Sequence, residues 1–191
     1  MNKEYRNLLI ALSIGDGHID KTGAIIVVHS SKQKEYVQYK LDLVRKYNSS
    51  VKMFERQSNG TLQYGFRIPA TKYSKLLRRI LYPDGKKTIT KKLLNRIGLI
   101  GLSIWWGDDG STSKKKNKSG GIKATVSTLS TQVSKEENQI IIDWFLETYG
   151  IRFGQRKMKN HYSLICGTGE GRKLTTLLLP YTIESMQYKL S

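Results

Sequence analysis

The chain holds a single cysteine, Cys166, among its 191 residues. One thiol cannot close an internal disulfide or build a multi-cysteine zinc site. Cys166 ends an apolar run that begins at Tyr162, so it reads as a buried strand residue. Histidine is nearly as scarce. His18, His29 and His161 lie far apart in the sequence, which argues against a zinc cluster. No apolar run reaches the roughly 18 residues that a membrane span needs. The opening Met1-Asn2-Lys3-Glu4-Tyr5-Arg6 carries an acid and lacks a signal-peptide cleavage pattern. The expected compartment is therefore intracellular and reducing, the cytoplasm of a bacterium or phage host or an organelle matrix.

Negative charge is the other shortage. Fifteen Asp and Glu face 33 Lys and Arg, giving a formal net charge of +18 and a pI near 9.9. A surface this basic calls for a polyanion. Nucleic acid suits it better than an acidic membrane, because no lone basic amphipathic helix with a bulky apolar face is present. Hydrophobic residues make up 38% of the chain, enough for a core. The length suits one domain or two small packed halves. Eleven tyrosines add flat amphipathic surface for packing or for nucleotides.

The sequence does contain a repeat. Leu9-Ile-Ala-Leu-Ser-Ile-Gly-Asp16-Gly17 has a partner in Leu102-Ser-Ile-Trp-Trp-Gly-Asp-Asp109-Gly110. The stretches after the two copies match in order. A polar loop leads to a β-rich stretch, Ala24 to Val28 or Ile122 to Thr128. A helical pattern comes next, Glu35 to Tyr47 or Lys135 to Tyr149, each stopping at Tyr followed by Asn or Gly. Then comes a hairpin. Val51 to Gln57 and Leu62 to Ile68 flank Ser58-Asn59-Gly60-Thr61, a strong turn signal. In the second half, Ile151 to Lys157 and Tyr162 to Cys166 flank Met158 to His161. A last helix lies near Lys72 to Leu81 or Arg172 to Leu179. Each half reads as α-β-α-β-β-α or close to it, with Thr88 to Arg96 as a short connector. The expected division is 1–96 and 97–191. Ser113 to Gly121, rich in Lys, Ser, Asn and Gly, looks disordered in isolation.

Period-2 patterning assigns faces. Leu62, Tyr64, Phe66 and Ile68 share one side of a strand, and Gln63, Gly65 and Arg67 share the other. In the second half, Ile122, Ala124 and Val126 are expected toward the helices, opposite Lys123, Thr125 and Ser127. Arg152 and Arg156 project away from Ile151 and Phe153. Antiparallel sheets commonly have one wet face, but that does not explain the excess of bases over acids. Two basic sheet faces would suit two neighbouring segments of a DNA groove. The candidate contacts are Lys52, Arg56, Gln63, Arg67, Lys123, Arg152, Arg156 and His161, with Lys114, Lys115, Lys116 and Lys118 as a loop clamp. Any single one is a better fit to a phosphate than to a base edge.

An isolated Asp-Gly after an apolar helix is usually a turn or cap. Two copies, each opening a repeat, point further. Ala11 with Gly15, and Ser103 with Gly107, place small residues one turn apart and would let the two helices cross closely. That crossing would bring Asp16 and Asp109 together. Two carboxylates at negative helix ends repel each other unless a cation joins them. Hard carboxylate oxygens suit Mg²⁺, with Mn²⁺ expected to substitute. Paired metals can activate water and stabilise the leaving oxygen of a phosphodiester.

These two segments resemble the LAGLIDADG motif of homing endonucleases, and the resemblance covers nearly the whole chain. It is nearest to the single-chain, two-motif, intron-encoded type. Lys86-Lys87-Thr88-Ile89, Leu179-Pro180-Tyr181 and Met186-Gln187-Tyr188-Lys189-Leu190 share in it. The resemblance implies an α+β fold of two pseudo-symmetric repeats whose antiparallel sheets form a DNA-binding saddle. It implies Asp16 and Asp109 as catalytic metal ligands, helped by the backbone carbonyls of Gly15 and Asp108. Lys87 and Lys189 fall where the family projects a lysine from each half toward the metal-water pocket. It further implies a monomer that cuts both strands of a long, imperfectly symmetric double-stranded DNA target, leaving 3′ overhangs. Two alternatives stand beside it, a maturase that binds its own intron RNA and an inactive DNA-binding regulator. The sequence also departs from the motif. Its sixth position, often acidic, is Ile14 or Gly107. Asp108 is an extra acid, either a metal neighbour or solvated. Trp105 and Trp106 are bulky for a seam and are expected to face the second-half core.

Overall fold

The computed structural model describes residues 1–117, 119–158 and 161–191. Its elements are α1 (Lys3–Ile14), β1 (His18–Ile19), β2 (Ile25–Ser30), α2 (Lys34–Arg45), β3 (Met53–Ser58), β4 (Thr61–Ile68) and α3 (Lys72–Leu81). They repeat as α4 (Lys91–Asp109), β5 (Gly110–Lys116), β6 (Ile122–Leu129), α5 (Lys135–Tyr149), β7 (Gly154–Lys157), β8 (Tyr162–Cys166) and α6 (Thr168–Leu178). A 3-10 segment, Glu184–Leu190, closes the chain. Each half carries a four-stranded antiparallel sheet, in the order β1-β2-β4-β3 and β5-β6-β8-β7. Each half is therefore α-β-β-α-β-β-α, one strand more than the sequence pattern implies.

The character of the two extra strands explains the difference. β1 has only two residues, too short for any period. β5 is Gly-Ser-Thr-Ser-Lys-Lys-Lys, polar throughout, yet it pairs with β6 from Gly110–Leu129 to Lys116–Ile122. Pairing, not composition, orders this segment, and it corrects the expectation of disorder for Ser113 to Lys116. Lys118, and the Lys159-Asn160 part of the expected Met158 to His161 turn, lie outside the described residues.

The centre is made by α1 and the second part of α4. Asn2 caps α1 by accepting the Glu4 N–H at 2.7 Å. Residues Leu8 to Ile14 are then buried without interruption, as expected of a helix wrapped on all sides. Its end is forced by Gly17, whose N–H bonds the Leu12 carbonyl at 2.9 Å and where a Cβ would lie 2.2 Å from that oxygen. α4 is broken at Gly98, whose φ of 59° suits glycine. The α1–α4 seam differs from the expected one. Ala11 meets Gly101, where an added Cβ would stand 2.9 Å from the alanine methyl, and Gly15 meets Asp108. Ser103 instead donates to the Tyr181 carbonyl at 2.8 Å, and Gly107 gives room to the Tyr36 hydroxyl. One hydrophobic core runs through both halves and includes Trp105, Trp106, Trp144 and Phe145.

The first sheet keeps the expected faces. Ile25, Val27, Phe66 and Ile68 are buried, while Gln63 and Arg67 pair across to Ser30 and Ile26 on the open side. The second sheet does not. Ser127 is buried in register with Cys166 and packs under Gly171 of α6. Ala124 and Val126 therefore turn to the open face, and Ile122 is 61% exposed. The cause is an inner face closed partly by small polar residues, such as the Thr112–Ser127 hydroxyl pair. That reverses the apparent period. Cys166 is buried, and burial pushes its thiol up to about 11.

Candidate active site

The two motif helices deliver their acids to one place. Asp16 follows α1, Asp109 ends α4, and both line a cleft of about 810 Å³ together with Lys87, His18, Glu137 and His161. Burial and the charge of Asp108 raise the Asp16 carboxyl above the ordinary carboxylate range. Burial, then Asp16, then Asp108 push Asp109 up to about 7. Such paired elevation marks a functional site more often than a structural one.

Cations answer these acids. Lys87 Nζ donates to the Gly15 carbonyl at 2.7 Å and the Ile14 carbonyl at 3.1 Å, so it caps the negative end of α1. Burial lowers its pKa, against the opposing pull of Asp109 and Asp16. Lys189, in the last 3-10 segment, is close enough for its charge to favour ionised Asp16. Its carbonyl accepts the Trp106 indole N–H at 3.1 Å, which ties the C-terminal segment to α4. Trp105 donates to Asp109 Oδ2 at 3.1 Å. Trp106 thus packs into the second-half core beside Phe153 as expected, while Trp105 serves the acid itself.

Asp108 is not solvated. Its side chain is fully buried, as is that of Lys40, and the two form an ion pair. Its other oxygen accepts the Asp16 N–H at 3.0 Å. Lys40 also donates to His29 Nε2 at 2.9 Å and sits 4.1 Å from the Tyr36 ring centre. His29 accepts on Nε2, so its proton is on Nδ1, which faces Gln33 Oε1 at 3.0 Å. Burial first and Lys40 second lower its pKa to about 4, so the ring is neutral near pH 7. Asp16, His29 and Asp108 place ligand atoms within 4.8 Å of one another, the spacing of a metal site. Lys40 already engages Asp108 Oδ1 and His29 Nε2, however. Of Asp16, Asp108 and Asp109, the first and the last face the cleft.

His29, Gln33, Tyr36, Lys40 and Trp105 do not stand out as site residues in the sequence. Signals exist for two of them. Lys40 interrupts the apolar stripe Tyr36, Val37, Leu41 and Val44 of α2, and His29 continues the inward set Ile25 and Val27 of β2. A charged or polar group on a buried face demands a partner.

The expected DNA contacts spread over both sheets. Arg56 and Gln63 are register partners on the first open face, joined at 3.0 Å. Arg67 shares that face, with its charge held by Asp20 at 3.0 Å. Lys52 lies exposed just before β3. Arg156 pairs with Ser163 on the second open face, and Arg152 is exposed ahead of β7. Lys115 is paired with Ala124 on the open face, so Lys114 alternates to the other. Lys116 is exposed beyond an irregularity that leaves Lys123 out of register. The strand pattern therefore does not set the face of Lys123. His161 lines the central cleft instead of lying out on the sheet. Among the described residues, no helix is long and apolar enough to cross a membrane.

The chain is thus an α+β protein of two matching halves, each bringing an acid at or just beyond the end of its central helix to a shared cleft. The sequence model of the LAGLIDADG DNA endonuclease family matches residues 6–174, and the chain belongs to that family. A probable intron-encoded DNA endonuclease of Mycosarcoma maydis is 34% identical over 107 residues, covering 55% of this chain and 73% of that protein. A RecA protein of Mycolicibacterium flavescens is 24% identical across 100% of this chain, which covers 47% of its length. The chain spans between 28% and 48% of the length of the RecA relatives it matches. Among solved structures, the homing endonuclease I-WcaI bound to its DNA recognition sequence shares the fold. Its TM-score is 0.80 at 23% identity, over 100% of this chain and 87% of that one. I-DmoI in complex with DNA and Mn gives a TM-score of 0.53 at 15% identity, over 95% and 99%.

Proposed function

We propose that this chain is a site-specific homing endonuclease that cuts both strands of a long, imperfectly symmetric double-stranded DNA target. The observation that carries the reading is the meeting of Asp16 and Asp109 in one cleft, both with elevated carboxyl pKa values. Carboxylates packed this way favour a bound cation, and all their donors are hard oxygens, which fits Mg²⁺ with Mn²⁺ as a substitute. Asp16 and Asp109 would hold it, with the Gly15 and Asp108 carbonyls beside them. When bound, the metal supplies Lewis acidity at the scissile phosphate.

The residues do the rest. The open sheet faces, with Arg56, Gln63 and Arg156, bind the duplex on either side of the cleft. Lys87 and Lys189 place positive charge where the phosphate gains negative charge. The acids orient water for in-line attack on phosphorus. The two halves, taken as 1–96 and 97–191 beside the Gly98 break, each hold half of the target. Both motifs lie in one chain, so a monomer suffices. The presence of both Asp16 and Asp109 at the cleft counts against a pure RNA-binding maturase or an inactive regulator, since binding alone does not need them.

The test uses duplexes recovered by repeated binding from a random-sequence pool in Ca²⁺. With Mg²⁺, the protein is expected to cut both strands at a fixed position, and with EDTA to cut neither. Binding without any cleavage in Mg²⁺ or Mn²⁺ would overturn the reading.

A further inference from the structure

The seventh motif position is Gly15 in the first half and Asp108 in the second. The difference acts in one direction only. The Asp108 carboxylate crosses the seam into the space Gly15 leaves, where an added Cβ would stand 2.2 Å from Oδ2. There it accepts the Asp16 N–H at 3.0 Å. Gly15 has no side chain with which to do the same for Asp109.

Behind Asp108 stands Lys40, and behind Lys40 stand His29 and Gln33. This gives a continuous hydrogen-bonded chain from α2 and β2 of the first half, through α4 of the second, back to the end of α1. α5, the matching helix of the second half, buries Asn138, Ile141, Trp144 and Phe145 and no charged residue. Asp109 is held by the Trp105 indole instead. An apolar side chain on the α2 stripe would pack as well as Lys40 or better, so stability does not explain the buried pair. Fixing the register of two helix ends does.

We propose that Lys40 is a positioning residue: by fixing the Asp108 carboxylate it holds the main chain of Asp16, so the cut that depends on Asp16 is more sensitive to its loss than the cut that depends on Asp109. This rests on the endonuclease reading above.

The experiment is strand-resolved single-turnover cleavage of a selected duplex labelled on both strands. Asp16→Asn and Asp109→Asn first show which strand each acid serves more. Lys40→Met strands Asp108 as an unpaired buried charge, so Lys40→Met with Asp108→Asn is the companion variant that removes both charges. In either variant the Asp16-dependent strand is expected to slow by about 10- to 100-fold, the usual effect of losing a group that orients a metal ligand. The other strand should stay within about threefold. Amide hydrogen exchange in the metal-free protein gives a second readout, with the Asp16 amide expected to exchange faster. A role in stability alone would slow both strands alike, and that result, or an unchanged Asp16 amide, would overturn the proposal. A wild-type protein that cuts neither strand would instead refute the endonuclease reading itself.

Discussion

Asparagine at position 109 should make the metal-free protein more stable, and only above mildly acidic pH. Burial and the neighbouring Asp16 and Asp108 charges push the Asp109 carboxyl up to about 7 from an ordinary 3.8. Between those values the folded chain holds a proton that the unfolded chain releases. Stability from this group is therefore full below the lower value and is lost as pH rises through the upper one. A shift of this size corresponds to about 4 kcal/mol at most, and sharing of the proton with Asp16 lowers it to about 2–4 kcal/mol. Asp109→Asn removes the charge and keeps the shape. In EDTA, the variant and wild type should be equally stable near pH 4. Near pH 8 the variant should melt on the order of 10 °C higher. Millimolar Mg²⁺ should then stabilise the wild type and leave the variant unmoved. Urea or thermal melts at the two pH values are sufficient. A gain of equal size at both, or none near pH 8, would refute the idea that burial and the neighbouring acids disfavour ionised Asp109.

Gly15→Ala should destabilise the chain by about 1–3 kcal/mol, because its methyl would stand on Asp108 Oδ2; a denaturation midpoint equal to wild type would count against the described seam. Trp105→Phe removes the indole N–H that favours ionised Asp109. The acid limb of the cleavage–pH profile should move toward higher pH, and an unmoved limb would separate Trp105 from the chemistry. DNA affinity should fall about 1,000-fold or more between roughly 50 and 200 mM salt if six or more phosphates are engaged. A flat salt dependence would exclude the open sheet faces as the binding surface.

The repeat is legible because it is written twice. Apolar helix, Asp-Gly, strand, helix and hairpin recur in order, and the bounds of α3 and α5 match the sequence pattern to the residue. β5 is not legible, since its lysines and serines carry no hydrophobic period and are ordered only by pairing with β6. The faces of the second sheet come out reversed because Ser127 and Thr112 satisfy each other inside, where apolar residues are expected. At the site, Asp16 and Asp109 can be picked out because each ends a copy of the repeated motif, whereas Lys87 and Lys189 are marked only by the family resemblance. The Lys40–Asp108 pair cannot, because its partners lie 68 positions apart and meet only when the helices cross.

The measurement that bears most directly on the account compares Asp16→Asn and Asp109→Asn with wild type on one selected duplex. Binding is followed in Ca²⁺ and cleavage in Mg²⁺. Both variants should bind the duplex as wild type does and fail to make the double-strand break. Full double-strand cutting by both would contradict the assignment of the two helix-end aspartates as the catalytic pair.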